Sequence, residues 1–516
     1  MANPAMPLET ELLDVITVAA VEEKAKLRRH FGRFDIFFFL ICTIVGLDTL
    51  GAVSSYGAQA FTWLVFLAIF FFVPYALLTA ELGSTFREEG GSYIWTKLAF
   101  GKLVGGVNSV LYWLSNPIWL GGTLTLTALT VFKDFFAPDL NTAGSYLFAL
   151  VFIWFATWAA ILSFGLGKWI PTIGAWGRVL LLSVFTITVF IYAVKHGVKG
   201  FGAGDFAPTW ETFLLAVPVL FFNFVGFELP NAAGDEMKNA KQDVPYTVKR
   251  ATIVSILAYG LPILSILLVL PKDQISSLSG FVSAIKTVFT VYGGSVAADG
   301  TATLTGAGQV FGDLAAIGFM WALLSSGTTW IMGADRAQAV ASYDGAGPRI
   351  LGVFSQRWGT PLAVNLLSGI ISTIVFMVAF SQSGDNPNKF FLVVLGLAIS
   401  TTTLSYLAIF PALYVLRRRF PDVDRPYSVP GGNTGALVIS VLTTMWAAVA
   451  GWVLLFPPTL SKAWEGQRLT YELWQLLPLA LFIGIGLLFY VLGAPTRKAQ
   501  ASAAQLAEAE SHILED

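Results

Sequence analysis

Two short stretches decide how this chain is read. The first is Ile44-Val45-Gly46-Leu47-Asp48-Thr49-Leu50-Gly51-Ala52-Val53. The second is Phe224-Val225-Gly226-Phe227-Glu228-Leu229-Pro230-Asn231-Ala232-Ala233, 180 residues further on. Each lies inside a run of about twenty apolar residues, the length that crosses a hydrocarbon core of about 30 Å as helix. Each carries Val-Gly, one apolar residue and an acid, followed by glycine or Pro-Asn helix breakers. Unwound backbone is tolerated at that depth only where it lines a cavity or is buried in protein. A carboxylate there costs several kcal/mol and marks a functional position by default. A glycine-kinked packing helix with a hydrogen-bonded acid accounts for one such stretch; two in matching positions point to an interrupted pair.

The rest of the chain supplies the setting. Of 516 residues, 55% are hydrophobic and 12% charged, against about 25% charged in an ordinary soluble domain. Twelve apolar runs are legible, at about 35–58, 61–86, 104–132, 143–164, 169–194, 212–234, 248–270, 309–334, 360–380, 389–416, 435–456 and 472–494. The basic residues orient them. With the N-terminus in the cytoplasm, 22 of the 31 Lys and Arg fall on inside segments, 8 on outside ones, and Arg178 alone lies within a run. Both termini are therefore expected to be cytoplasmic, in a multi-pass protein of the plasma membrane. The first twenty residues carry Glu9, Glu11 and Asp14 and no basic leader region, so the first span is expected to act as the targeting signal.

The two broken runs open two sets of five spans, and five is odd, so the second set enters the membrane upside down relative to the first. That is the pattern of an inverted-repeat transporter, with its site where two interrupted helices meet near the midplane. The expected fold is an all-α integral membrane protein of twelve transmembrane helices, five plus five inverted, with broken first and sixth helices and two peripheral ones. Its parts are a cytoplasmic tail (1–33), a first repeat (34–195), a second repeat (211–417), two peripheral helices (435–494) and a C-terminal tail (495–516) read as a short cytosolic helix. The longest outside loop, about 271–308, is rich in Gly, Ser and Thr and is expected to hold a short helix.

Several chemistries are excluded. One Cys rules out a disulfide framework and any cysteine cluster, and the three His (His30, His196, His512) all lie outside the apolar runs. That inventory offers no intramembrane metal, no bis-histidine haem and no nucleophile–base pair, so neither an enzyme nor a cofactor is expected. No Gly-x-x-x-x-Gly-Lys-Ser/Thr segment is present, so the chain does not itself hydrolyse ATP. A net charge of −1 gives no support for nucleic-acid binding. The expected partners are a small-molecule substrate, protons and the lipid bilayer.

At this point the chain resembles the amino acid–polyamine–organocation transporter superfamily, over roughly residues 30–430. The resemblance rests on Ala80-Glu81-Leu82-Gly83 through Glu89-Gly90-Gly91-Ser92-Tyr93 to Ala99-Phe100-Gly101, and on Phe224–Glu228 with Glu236-Met237-Lys238-Asn239 and Val244-Pro245. Arg336 with Asp344-Gly345-Ala346-Gly347-Pro348 and Thr360-Pro361, and Arg425-Pro426-Tyr427 with Val429-Pro430-Gly431-Gly432, complete it. It implies a LeuT-type fold and secondary transport of amino acids or amines.

Several residue roles follow only from that resemblance. The family's first-span segment offers free N–H groups to a substrate carboxylate; here Gly46-Leu47-Asp48 puts an acid where its second glycine stands. An ionised Asp48 repels a carboxylate and attracts an ammonium. Asp48-Thr49-x-Gly51-x-Val53-Ser54 also resembles the first span of bacterial putrescine importers. Against this, Asp48 can be rotated away, neutral, or paired with Arg178. Glu228 stands where the family has a sixth-span acid used in proton coupling or gating; a permanently hydrogen-bonded structural acid is the alternative. Arg178 resembles in position a fifth-span lysine of sodium-independent relatives, whose charge takes the place of sodium; the alternative is an arginine snorkelling to the interface.

The expected substrate-binding set is Gly46, Asp48, Thr49, Gly51, Phe224, Gly226, Phe227 and Glu228, with Glu228, Arg178 and Tyr93 in coupling or gating. Asn116, Trp119, Ser325, Ser326 and Tyr406 are further cavity candidates, and Arg417-Arg418-Arg419 reads as a headgroup anchor. The functional expectation is a proton-coupled, sodium-independent permease for amino acids or polyamines. Transport of a purine, carboxylate or other solute on the same fold, or less readily a channel, is the alternative.

Overall fold

The computed structural model describes residues 31–162, 169–198, 201–271, 274–383, 387–457 and 466–502. Most of the expected N-terminal and C-terminal tails lie outside these residues. Nine helices among the described residues are long and apolar enough to cross a membrane. Of the remaining three apolar runs, two fold as interrupted helices and the third, 104–132, is continuous helix with a π-turn.

The first of these is α1 (Arg33–Ile44), a non-helical link, and the short α2 (Leu50–Ser54). α3 (Ala58–Leu67) and α4 (Val73–Thr85) form one rod with a π-turn at Ala68–Phe72. α5 (Ser92–Phe100) is a short helix, followed by α6 (Lys102–Trp119), which passes through a second π-turn at Leu120–Leu124 into α7 (Thr125–Phe135). Next come α8 (Thr142–Ile161), α9 (Trp169–His196) and α10 (Trp210–Asn223). α10 ends in a second break, and a 3-10 segment (Leu229–Glu236) resumes the path. α11 (Ala240–Val269), α13 (Ala307–Ala341), α14 (Leu362–Ser383), α15 (Pro387–Arg419), α16 (Gly432–Leu455) and α17 (Arg468–Leu492) are long rods.

The long loop does hold the expected short helix, α12 (Gly280–Phe289), and also an antiparallel hairpin, β1 (Gly294–Val296) with β2 (Ala302–Leu304). The hairpin was not foreseen, although Asp299-Gly300 at its tip is a turn signal. The C-terminal helix is followed past Gly493 as far as Ser502.

α1 lies between α11, α9 and α13, while α6 packs on α15, α13, α14 and α17. One end of the bundle carries a dense set of ion pairs. Arg336 meets Glu89 at 2.5 Å and Glu236 at 2.8 Å, and Asp344 meets Lys97 at 2.7 Å and Lys102 at 3.3 Å. Arg417 holds Glu81 through two 2.6 Å hydrogen bonds, and Glu81 also accepts the Val429 N–H. Two expectations change here. Arg417 is buried in a bidentate pair rather than anchored at headgroups, and α13 runs on beyond residue 334, so Arg336 is a buried helix residue rather than a loop residue.

Candidate functional site

The two breaks are held in the same way. In the first, the hydroxyl of Tyr259 donates to the Ile44 carbonyl at 2.7 Å and accepts the Gly46 N–H at 2.8 Å. In the second, the hydroxyl of Tyr75 accepts the N–H groups of Gly226 at 3.0 Å and Phe227 at 2.9 Å. A buried backbone group without a partner costs about 1–3 kcal/mol, so one tyrosine at each break makes unwinding affordable. Gly226 is required there: its φ is +121°, and a Cβ would come within 2.5 Å of Thr43.

A very small cavity of about 10 Å³ lies against the first break, lined by residues that include Gly46, Asp48, Thr49, Trp119, Asn223 and Tyr259. All its lining residues except Phe222 are buried. Asp48 is its acid. One carboxylate oxygen accepts from Trp119 Nε1 and from the Thr123 hydroxyl, each at 2.8 Å; Oδ1 has no hydrogen-bond partner among the described residues. Both side-chain polar atoms of Asn223 are likewise unpartnered. The walls include the rings of Trp119, Phe222, Tyr259 and Trp330.

The expected residues divide. Gly46, Asp48 and Thr49 line the cavity. Gly51 does not; it lets α2 approach the backbone at Ser276 and Ser277, where a Cβ would sit within 3 Å of both carbonyls. Phe224 and Phe227 stack on Phe72, at centroid distances of 4.5 and 4.7 Å, and with Gly226 they are absent from the cavity lining. Glu228 also lies outside it, its carboxylate receiving the hydroxyls of Tyr75, Tyr112 (2.7 Å) and Tyr406 (2.6 Å). Tyr93 is at the ion-paired end, donating to Asp344 at 2.5 Å.

Arg178 is fully buried, not snorkelling. Its guanidinium donates to the Ile41 carbonyl (3.3 Å), the Ala322 carbonyl (2.7 Å) and the Ser326 hydroxyl (2.6 Å), which joins α1, α9 and α13. Ser326 therefore serves this contact rather than the cavity, and Asn116, Ser325 and Tyr406 are also absent from the lining. Thr43, Ile44, Phe222, Asn223, Val225, Tyr259 and Trp330 line the cavity outside the expected set. A polar residue one turn before a break was the available signal for Asn223.

A small, largely buried cavity at the meeting of interrupted helices in a multi-pass helical bundle is the build of a membrane transporter. The chain belongs to the amino acid permease family, whose model matches residues 31–488, and with it to the amino acid–polyamine–organocation superfamily. It is 27% identical, over 89% of its length and 94% of the relative's, to a probable agmatine/putrescine antiporter, AguD, of Lactococcus lactis subsp. lactis. It is 25% identical to the polyamine transporter PUT1 of Oryza sativa subsp. japonica, covering 80% of this chain and 72% of that one. A glutamate/gamma-aminobutyrate antiporter of Lactococcus lactis is 22% identical over 86% of each chain. Family and relatives are transporters, not enzymes.

Proposed function

We propose that this protein is a proton-coupled, sodium-independent transporter of the plasma membrane whose substrate is an organic amine, a diamine or a polyamine. The observation that carries the substrate reading is Asp48: a buried carboxylate with one oxygen unpartnered among the described residues, facing a small cavity with aromatic walls. An ammonium group is what such a site lacks. It gains a charge-assisted hydrogen bond from Asp48 and cation–π contact from the rings, while the Asn223 side chain offers a neutral partner further along. The two polyamine-associated relatives fit this reading. The glutamate/gamma-aminobutyrate relative, named for two substrates that each carry a carboxylate, keeps an amino acid as the second reading.

In this reading the chain crosses the membrane twelve times as two inverted five-span repeats and two peripheral spans, with both termini in the cytoplasm. The ion-paired end is then the cytoplasmic gate. Arg178 supplies a fixed charge between α1 and α13 and makes sodium unnecessary; Glu228, among three tyrosines, is a proton-accepting carboxyl. Transport runs by alternating access, with the segments around the two breaks moving against α6, α8, α13 and α14.

The test is a thermal-stability scan of purified protein against diamines, polyamines, zwitterionic amino acids and purines, in sodium and in choline. A ligand that binds only the folded state raises apparent stability, by about 2.7 kcal/mol at a hundredfold excess over Kd. Shifts with putrescine or agmatine in both salts support the proposal. Shifts with amino acids alone move the assignment to an amino acid permease with Asp48 off the ligand, and shifts with purines alone move it to another solute.

A further inference from the structure

The two acids discussed so far leave a third untouched. Asp335 lies on α13, five residues past the cavity residue Trp330 and immediately before Arg336 of the ion-paired end. It is fully buried. Its Oδ1 accepts from the Ser368 hydroxyl at 2.8 Å, and that oxygen in turn accepts from Trp113 Nε1 at 2.8 Å. Its Oδ2 has no hydrogen-bond partner among the described residues.

Among the described residues, the surrounding elements offer it no cation: on α9, which packs along α13, Arg178 is bound to the Ile41 and Ala322 carbonyls and the Ser326 hydroxyl. α14 carries no titratable side chain, and α8 only Tyr146, near its start. On α6, Tyr112 is bound to Glu228 and Lys102 to Asp344. On α5, Tyr93 and Lys97 both meet Asp344. On α13 itself Arg336 points to Glu89 and to Glu236 of the 3-10 segment, which also carries Asp235. An isolated ionised carboxylate in such surroundings costs several kcal/mol, and a buried charge persists only when paired or neutralised. A proton is the one cation that fits without displacing a packed side chain.

The same interface holds other unmet polar atoms. Asn365 precedes Ser368 by three residues on α14, and Ser109 precedes Trp113 by four on α6, so each lies one turn nearer the ion-paired end on the same helix face. Asn365 Oδ1 and the Ser109 hydroxyl are buried and without partners. They form a polar seam between α6 and α14 that leads from Asp335 toward that end.

We infer that Asp335 is a second proton-binding site of the transport cycle, seated between α6, α13 and α14 and separate from both the substrate cavity and Glu228. A proton arriving along the seam adds to Oδ2, converting the carboxylate to the neutral acid while Oδ1 keeps its bond from Ser368; departure reverses the step. Because Asp335 sits on α13 between the cavity wall and Arg336, its charge state acts on the helix that joins them. The inference rests on the proton-coupled reading above.

The experiment compares wild type, Asp335→Asn and Ser368→Ala after reconstitution into liposomes, with putrescine as probe. Uptake is followed against imposed pH gradients, and putrescine binding is measured separately by thermal shift. Asp335→Asn is expected to bind putrescine within about threefold of wild type and to lose the response of uptake to the gradient. Ser368→Ala keeps the carboxyl but removes the hydroxyl that steadies its ionised form, so the midpoint of its pH profile is expected to move upward by half a unit or more, about the effect of one lost hydrogen bond. Should Asp335→Asn not fold, Ser368→Ala decides. Unchanged pH profiles in the folded variants overturn the inference. If wild type itself neither binds nor moves any amine, the transport reading has failed instead. The infrared carbonyl band of a protonated carboxyl, present in wild type and missing from Asp335→Asn, then decides on Asp335 alone.

Discussion

Tyr75 and Tyr259 each fasten the helix break that belongs to the other half of the chain. Tyr75 follows the first break on α4 yet bonds Gly226 and Phe227 in the second. Tyr259 follows the second break on α11 yet bonds Ile44 and Gly46 in the first. The tyrosines are 184 residues apart and Gly46 and Gly226 are 180 apart, so the echo seen in the broken segments extends to the groups that hold them. The exchange makes each break depend on the opposite half, a cross-strut that lets two interrupted helices share one fixed centre.

Tyr259→Phe therefore removes the hydroxyl that bridges the Ile44 carbonyl and the Gly46 N–H, leaving only their direct 2.9 Å bond beside the cavity. About 0.5–1.5 kcal/mol of stability is expected to be lost, with weaker ligand binding because Gly46 and Asp48 adjoin the loosened backbone. Tyr75→Phe is expected to cost as much or more, since its hydroxyl also serves Glu228. Thermal unfolding of the two variants, with and without ligand, checks this. Wild-type stability in both would remove the tyrosines from any role in holding the breaks.

Asp48→Asn keeps the shape of the side chain and can still accept from Trp119 and Thr123, but has no charge. A hydrogen bond to a charged group is worth about 1.5–3 kcal/mol, so amine affinity is expected to fall roughly tenfold to a hundredfold with the protein still folded. Titration of wild type and variant by ligand-dependent thermal shift measures it. Equal affinities would take Asp48 out of the substrate site.

Arg178→Met removes a guanidinium from between two carbonyls and a hydroxyl. The three oxygens of Ile41, Ala322 and Ser326 are then left facing an empty position between α1 and α13, a set of hard donors suited to a small cation. A lower unfolding temperature is expected, partly restored by sodium chloride and not by choline chloride. Wild type should respond to the two salts alike. A sodium effect on wild type would contradict the fixed-charge role.

Much of this was legible in the sequence because membrane physics leaves few choices. Gly46-Leu47-Asp48 and Gly226-Phe227-Glu228 stand out against apolar runs, and both do break their helices. Arg178 stood out as the lone basic residue in a run, and the structure makes it a tie between three helices. What stayed hidden were partnerships over long separations. Nothing near Glu228 in sequence announces Tyr75, Tyr112 and Tyr406, so an acid beside a break was read as facing the cavity when its three partners hold it elsewhere. Phe224 and Phe227 were misplaced for the same reason: spacing shows that an aromatic is buried, not that Phe72 is what it stacks upon. Arg336 and Arg417 read as membrane-edge residues because charge ends an apolar run, although a buried partner lets the helix carry charge further in.

Glu228→Gln tests the three-tyrosine cluster. The amide still accepts through its oxygen, and its nitrogen can donate to a tyrosine oxygen, so the fold is expected to persist. What it cannot do is exchange a proton. Gradient-driven accumulation is expected to fall about tenfold, within the usual range of a coupling free energy, while exchange of substrate across the membrane continues. Accumulation that still tracks the gradient would place coupling elsewhere, with Asp335 the next residue to examine.

The ion-paired end carries its own pH dependence. Burial is the main force that pushes Glu89 up to about 8; nearby Glu236 and Asp235 add to it, and Arg336 opposes it. Glu236 is raised too, again chiefly by burial, as expected where two carboxylates share one guanidinium. The folded protein thus holds a proton that the unfolded chain releases near the ordinary carboxylate value of 4.5. By linkage, this contribution to stability is complete below about 4.5 and is lost as pH rises through about 8. At alkaline pH the two carboxylates repel each other across Arg336, and the contact between the Glu89 loop, α13 and the 3-10 segment weakens. Unfolding temperatures taken from pH 5 to pH 9 should therefore decline for wild type, and Glu89→Gln, which is neutral throughout, should flatten the decline while keeping one acceptor for Arg336. If the two proteins trace parallel curves, Glu89 is ionised across the whole range, and the closed end owes its pH response to another group.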